Sequence, residues 1–201
     1  MRRLTAEEIR DRVAPRLTPA RLSHVEAVAE TIGRVAAGWS DGLRRAALRA
    51  AWLHDAWRCA PVEEALAEIR AAGEDPDPWS LRHAPVLLHA QAAAVWARSA
   101  AGETDPDVLR AVRHHPTGHP EWEGVGRGLY VADFCEPSRA FAAALQTERL
   151  VERADAGPVA LASVALEVLR LRLEWGLRDG RKLHPDTLRT WNAWLAPAGA
   201  R

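Results

Sequence analysis

Lysine is almost missing from this chain, occurring once, at Lys182, so arginine carries nearly all the positive charge. Neither sign of charge is in excess: 27 basic residues meet 27 acidic ones. A chain without a basic field is not built to hold nucleic acid or an anionic membrane by electrostatics, so a small molecule in a pocket is the expected partner. Cysteine is nearly lacking too. The two present, Cys59 and Cys135, cannot make a disulfide framework or the cysteine pairs of a zinc finger; they read as free buried thiols in a reducing compartment. No stretch approaches the ~18 consecutive apolar residues of a membrane span. The N-terminal "MRRLTAEEIRDRVAPRL" mixes charges where a signal peptide needs an apolar run, so a cytoplasmic protein is expected. Strict alternation of apolar and polar residues is also scarce, which argues against strands.

What is present instead is three- and four-residue apolar spacing nearly throughout 201 residues, the pattern of an all-α chain with one core. Thr5 and Glu8 form a capping-box pair. A second helix follows Pro19 and carries Leu22, Val25, Val28, Ile32 and Val35 to Gly38. Ser40 or Asp41 caps a third that runs to Trp57, and Pro61 opens a fourth to Ala72. "AGEDPDPWS" (72–80) reads as a loop. Helices are expected from Ala84 to Ser99, Asp105 to His115, Glu121 or slightly later to Cys135, Val159 to Leu177, and after Pro185. There is no internal repeat, no low-complexity tract and no HExxH pair.

Within this apolar pattern lie ionisable residues in inward positions. In "RAAWLHDAWR", His54 shares a helical face with Ala50, Ala47 and Leu43, and Asp55 lies about 100° further round. His24 precedes Val28 by one turn, and Asp133 follows Leu129 and Tyr130. For the pair at 114 and 115, phase decides: His115 stacks over Val112, Ala111 and Val108, whereas His114 follows Arg110 and Asp107 toward solvent. His89 shares a face with Val86, Ala93 and Trp96. Burying unpartnered carboxylates is costly, so these groups need one another or a shared cation. Imidazole nitrogens with carboxylate oxygens suit a divalent transition metal. Pairing among themselves in a plain helical interaction protein is the alternative.

The order His, His-Asp, His, His, Asp resembles the HD-domain superfamily of metal-dependent phosphohydrolases. More finely, the chain is similar to the YqeK-like family of symmetrical bis(5'-nucleosyl)-tetraphosphatases. "RLSH" (21–24), "AAWLHDAWR" (50–58), "LRHAPV" (81–86), "AVRHHPTG" (111–118), "YVADFCEPSR" (130–139) and "LHPDTLRTWN" (183–192) carry the likeness in family order. It implies a single HD-type helical bundle over 19–196, an N-terminal helix within 1–18 packed upon it, and a tail at 197–201. It also implies that His24, His54, Asp55 and Asp133 hold one metal, while His83 and His115 complete a second position with Asp55 as bridge. His83 is preferred to His89 on family position alone. The cofactor implied is one or two divalent ions, iron or manganese. The activity implied is cleavage of diadenosine tetraphosphate to two ADP by a metal-activated water, with Asp55 and Arg58 catalytic and Arg21, Arg58 and Arg139 on the phosphates.

A homodimer is compatible with the likeness. Hydrolysis of another nucleotide, or nucleotide binding without turnover, are the neighbouring readings. Departures from the family pattern occur at Arg58 (usually Lys), at Leu87 and Leu88 (usually Gly-Ala), at Pro116 (usually Thr) and at Gly126 and Arg127 (usually Glu-Lys). Trp57, beside Asp55 and Arg58, is a candidate border for a base-binding cleft.

Overall fold

A computed structural model describes residues 4–195, so the expected tail at 197–201 lies outside the described residues. These residues form eleven α-helices and no strand. The helices are α1 (Ala6–Val13), α2 (Pro19–Val35), α3 (Asp41–Leu53), α4 (Val62–Ala71), α5 (Pro78–His83), α6 (Leu88–Ser99), α7 (Pro106–His114), α8 (Gly124–Cys135), α9 (Thr147–Asp155), α10 (Pro158–Arg178) and α11 (Pro185–Leu195). The expected capping box at Thr5 and Glu8 is formed, and Ile9 and Val13 bury the inner face of α1 against the bundle.

α8 is the central element, packed against α2, α3, α7, α9 and α10. Glycines make that density possible. A Cβ at Gly128 would stand 2.7 Å from the Trp39 ring and 2.9 Å from Ile32, and one at Gly126 would stand 2.3 Å from the Trp122 ring. The Gly126 departure from the family pattern is therefore a seat for Trp122. Alanine does the same for α6, where Ala90, Ala92, Ala93, Ala94 and Ala97 are buried and let α4 and α7 approach closely.

Differences from the sequence expectation follow local chemistry. α3 ends at Leu53 and leaves the His54-Asp55 dipeptide in the turn beyond it. The expected loop at 72–80 contains the start of α5, because the Asp77 carboxylate accepts the Ser80 amide at 2.5 Å and Pro78 occupies the first turn. The helix expected from Ala84 begins only at Leu88. Ala84 adopts φ −154°, ψ 67°, and a 3₁₀ turn over Pro85–Leu87 intervenes. α9 was not expected; Gln146 opens it from a left-handed conformation, a signal that periodicity does not carry.

Candidate metal centre

Four imidazoles reach one buried place, three of them by a shared local device. His54 and His115 cap the C-terminal ends of α3 and α7, where the last carbonyls lack partners within the helix. Each ring folds back so that its Nδ1–H donates to the carbonyl three residues earlier: His54 to Ala51 at 2.6 Å and His115 to Val112 at 2.9 Å. His89, in the first turn of α6, does the same to Val86 at 2.5 Å. His24, midway along α2, turns its Nδ1 to the Glu136 carboxylate at 3.1 Å. A carbonyl or carboxylate oxygen can only accept, so Nδ1 carries the hydrogen and Nε2 presents a lone pair.

Those Nε2 atoms meet the two carboxylates. Asp55 Oδ1 lies 3.1 Å from His89 and 3.7 Å from His115, and Asp55 Oδ2 lies 3.6 Å from His54 and 3.7 Å from His24. Asp133 Oδ1 lies 3.3 Å from His24 and 4.0 Å from His54. His89 and His115 face each other Nε2 to Nε2 at 3.3 Å. The Nε2 atoms of His24 and His54 are buried without a hydrogen-bond partner among the described residues. Lone pairs that confront lone pairs and carboxylate oxygens at these distances repel unless a cation lies among them.

The donor set therefore fits a divalent metal, and two groups are compact enough to share one: His24, His54 and Asp133, and His54, Asp55 and His115, with ligand atoms within 4.8 Å of one another. Tying the distal ring nitrogen to an oxygen is how ligating histidines are oriented.

The protonation states agree. Burial holds His54 below its ordinary range and His115 well below it, so both stay neutral and able to ligate. Burial alone would raise Asp55, but the imidazoles of His54 and His89 pull it far below the usual carboxylate range. Asp133 likewise overcomes burial through His24, Arg172 and Arg139. Burial opposes charge on His24 as well, yet the nearness of Asp133 raises it.

Of the expected ligands, His24, His54, Asp55, His115 and Asp133 come together. His83 does not: it stands exposed at the end of α5, its Nδ1 3.0 Å from Lys182 Nζ. The physical reason is the break at Ala84, which resets the helical phase and sends His89 inward in its place. Among the expected substrate contacts, Arg21 lies 2.9 Å from Asp55 Oδ2 and Arg139 lies 2.7 Å from Asp133 Oδ1. Arg58 shares a cavity of about 410 Å³ with Arg21, His24 and Arg139.

Trp57 does not border that cavity. It is buried in the core with the Arg16 guanidinium 4.4 Å from its ring. Leu88 is core as well. His114 is half-buried, with its ring against His119, where solvent was expected. Cys135 is buried but Cys59 is exposed, against the expectation of two buried thiols.

Two residues of this centre escaped the sequence reading. Arg172, on α10, donates to Asp133 Oδ2 at 2.8 Å, and Glu136 buttresses His24. Glu136 follows Asp133 by three positions within "YVADFCEPSR", so the quoted stretch held the signal; Arg172 sits in an arginine-leucine repeat that marks nothing.

No protein-family model matches the chain. The symmetrical bis(5'-nucleosyl)-tetraphosphatase of Bacillus subtilis is 31% identical over 192 residues, spanning 96% of this chain and 98% of the relative. The protein of the same name from Halalkalibacterium halodurans is 31% identical over 183 residues, spanning 91% and 93%. A crystal structure from Clostridium acetobutylicum, described as a predicted HD superfamily hydrolase involved in NAD metabolism, superposes with a TM-score of 0.80 at 25% identity over 96% of this chain and 98% of that one.

Proposed function

This chain belongs to the family of symmetrical bis(5'-nucleosyl)-tetraphosphatases, and from that premise we propose that it hydrolyses diadenosine tetraphosphate at the middle of its phosphate chain. Water adds to one of the two central phosphorus atoms, the bridging P–O bond breaks, and two ADP molecules leave. The observation that carries the reading is the convergence on Asp55 and Asp133 of four imidazoles, each with its Nδ1 tied to an oxygen.

His24, His54 and Asp133 would hold one divalent ion, and Asp55, His89 and His115 a second, with the two oxygens of Asp55 near ligands of both sets. Iron or manganese is our assignment, since mixed nitrogen and oxygen donors suit such ions. When bound, such a cation makes hydroxide available near neutral pH and offsets charge growing on the phosphoryl oxygens.

The protein's own groups have separable tasks. Asp55 is held charged, which makes it a ligand and a poor proton acceptor. Arg21 and Arg139 each lie against one of the carboxylates and are in reach of a phosphate that approaches it. Arg58, in the same cavity, supplies a third guanidinium, one that makes no ion pair among the described residues. That residue replaces the family lysine, so a planar fork stands where an ammonium is usual. The exposed thiol of Cys59 supports a reducing, cytoplasmic setting, and no helix of the described residues is long and apolar enough to cross a membrane.

The test is a substrate panel on metal-loaded protein, with products resolved by chromatography. Diadenosine tetraphosphate giving ADP alone supports the reading. ATP with AMP as products would place the attack off-centre, and turnover of GDP or dGTP with the dinucleotide untouched would replace it.

A further inference from the structure

We infer that the cavity between α8 and α10, on the Arg172 side of Asp133, is the subsite for one nucleoside of the substrate; this rests on the proposed phosphohydrolase activity. The cavity measures about 320 Å³, at the small end of ligand sites. Its walls are aromatic: Phe141 and Trp175 meet at 4.3 Å and 81°, with Phe134 at 5.1 Å from Phe141. Arg139 and Arg172 close the end nearest the metal centre, each bound to a different oxygen of Asp133, and Arg181 also lines it, paired with Asp179 at 3.0 Å. Aromatic walls recognise a base by its π-face whatever its edge, and guanidinium groups take the phosphates attached to it.

Arg139 joins the two cavities that flank Asp133. It lines this cavity and also the cavity that holds His24, Arg21 and Arg58, which has no aromatic wall. The two cavities thus approach Asp133 from opposite partners, Arg172 on one side and His24 on the other. A substrate made of two nucleotides joined through their phosphates matches that layout, with its central phosphates passing Arg139. The aromatic cavity is then where a base is read, and the arginine-lined one takes phosphate. A larger cavity of about 680 Å³, beside Trp39 and Val159, contains none of the residues that touch the centre.

The test is ADP binding to metal-loaded protein by calorimetry, with steady-state kinetics alongside. Trp175→Leu is expected to weaken ADP binding about tenfold, and the loss in hydrolysis is expected in KM more than in kcat. Inhibition by tripolyphosphate, which has no base, is expected to stay as in the unsubstituted protein. Trp175→Phe is expected to recover most of the ADP affinity, which mere destabilisation would not predict. A folded Trp175→Leu that binds ADP unchanged, or that loses tripolyphosphate inhibition to the same degree as ADP, overturns the assignment. If the unsubstituted protein cleaves no dinucleotide yet its ADP affinity depends on Trp175, the subsite stands and the proposed reaction falls.

Discussion

Arg172 crosses from α10 to donate to Asp133 at 2.8 Å, on the carboxylate oxygen opposite the one that Arg139 holds. Its guanidinium lies 4.4 Å from the Tyr130 ring and 5.5 Å from Phe134, so the cation is caged between two aromatic rings and a carboxylate. Removing one partner of a buried charge pair leaves the other short of compensation, and Arg139 alone then pairs with Asp133. Arg172→Met is expected to destabilise the metal-free protein by about 3 kcal/mol in urea unfolding. The loss should shrink when metal is bound, because a cation then neutralises Asp133 in place of the guanidinium.

The exchange of His83 for His89 gives a paired prediction. His89→Ala removes a nitrogen 3.1 Å from Asp55 and is expected to lower metal affinity at least about tenfold. His83→Ala, at an exposed site where the ring meets Lys182 and, edge-on, Trp79, is expected to leave metal content unchanged. Elemental analysis after dialysis against a weak chelator measures both. Equal loss in the two variants would restore His83 to the centre.

Much of this was readable beforehand because helical phase constrains direction. Apolar spacing placed His54 and His115 inward, and the structure agrees that both are buried. Phase fails where a helix is interrupted: Pro85 and the backbone at Ala84 break the register between 83 and 89, so spacing against Ala93 and Trp96 turned His89 inward, whereas the choice of His83 rested on family position and not on its neighbours. Nor can periodicity tell a helix end from its interior. His54 looked like one more core position of α3, whereas it caps the end, and the cap is what frees Nε2 for ligation. Arg172 was illegible for a different reason: its partner lies 39 residues away in sequence.

Gly126 offers a test of packing without chemistry. Trp122 occupies the space a side chain would need, with ring atoms 2.3 to 2.5 Å from an added Cβ. Gly126→Ala should favour the helix locally but force the indole to move, and overpacking of this kind costs about 1 to 3 kcal/mol. Thermal melts are expected to fall while metal stoichiometry holds. A more stable variant would mean that Trp122 can swing away freely.

Acid should destabilise the metal-free protein well before the carboxylates titrate. Burial and the neighbouring His119 hold the folded pKa of His114 at about 4, against an ordinary value of 6.5. Between those limits the unfolded chain takes a proton that the folded chain refuses, so stability falls as pH drops from about 6.5 toward 4. Glu74, which overcomes its own burial through Arg113 and Arg98, adds a further loss below its ordinary 4.5. Melting temperature measured from pH 7.5 to 4.5 in chelator should decline throughout, and His114→Gln should flatten the upper part of that decline. An unchanged slope in that variant would assign the effect to other groups.

Glu136 separates holding a metal from orienting what holds it. The carboxylate is buried to 1% exposure and lies 3.1 Å from His24 Nδ1, while it also accepts the Ser138 amide and hydroxyl at 2.8 Å each. It touches neither Asp55 nor the other imidazoles in the hydrogen bonds it makes, and it reaches the centre through the His24 ring and through Arg139, 3.3 Å away, which in turn holds Asp133. Glu136→Gln keeps the volume but removes the negative charge that favours hydrogen on Nδ1, and so weakens the preference for a lone pair at Nε2. Metal affinity, read by competition with a chromogenic chelator, is expected to drop about 10- to 100-fold with helicity intact. Since the same substitution leaves every proposed ligand in place, a full loss of metal would mean that Glu136 itself ligates, and no change would mean that the ring is oriented by packing alone.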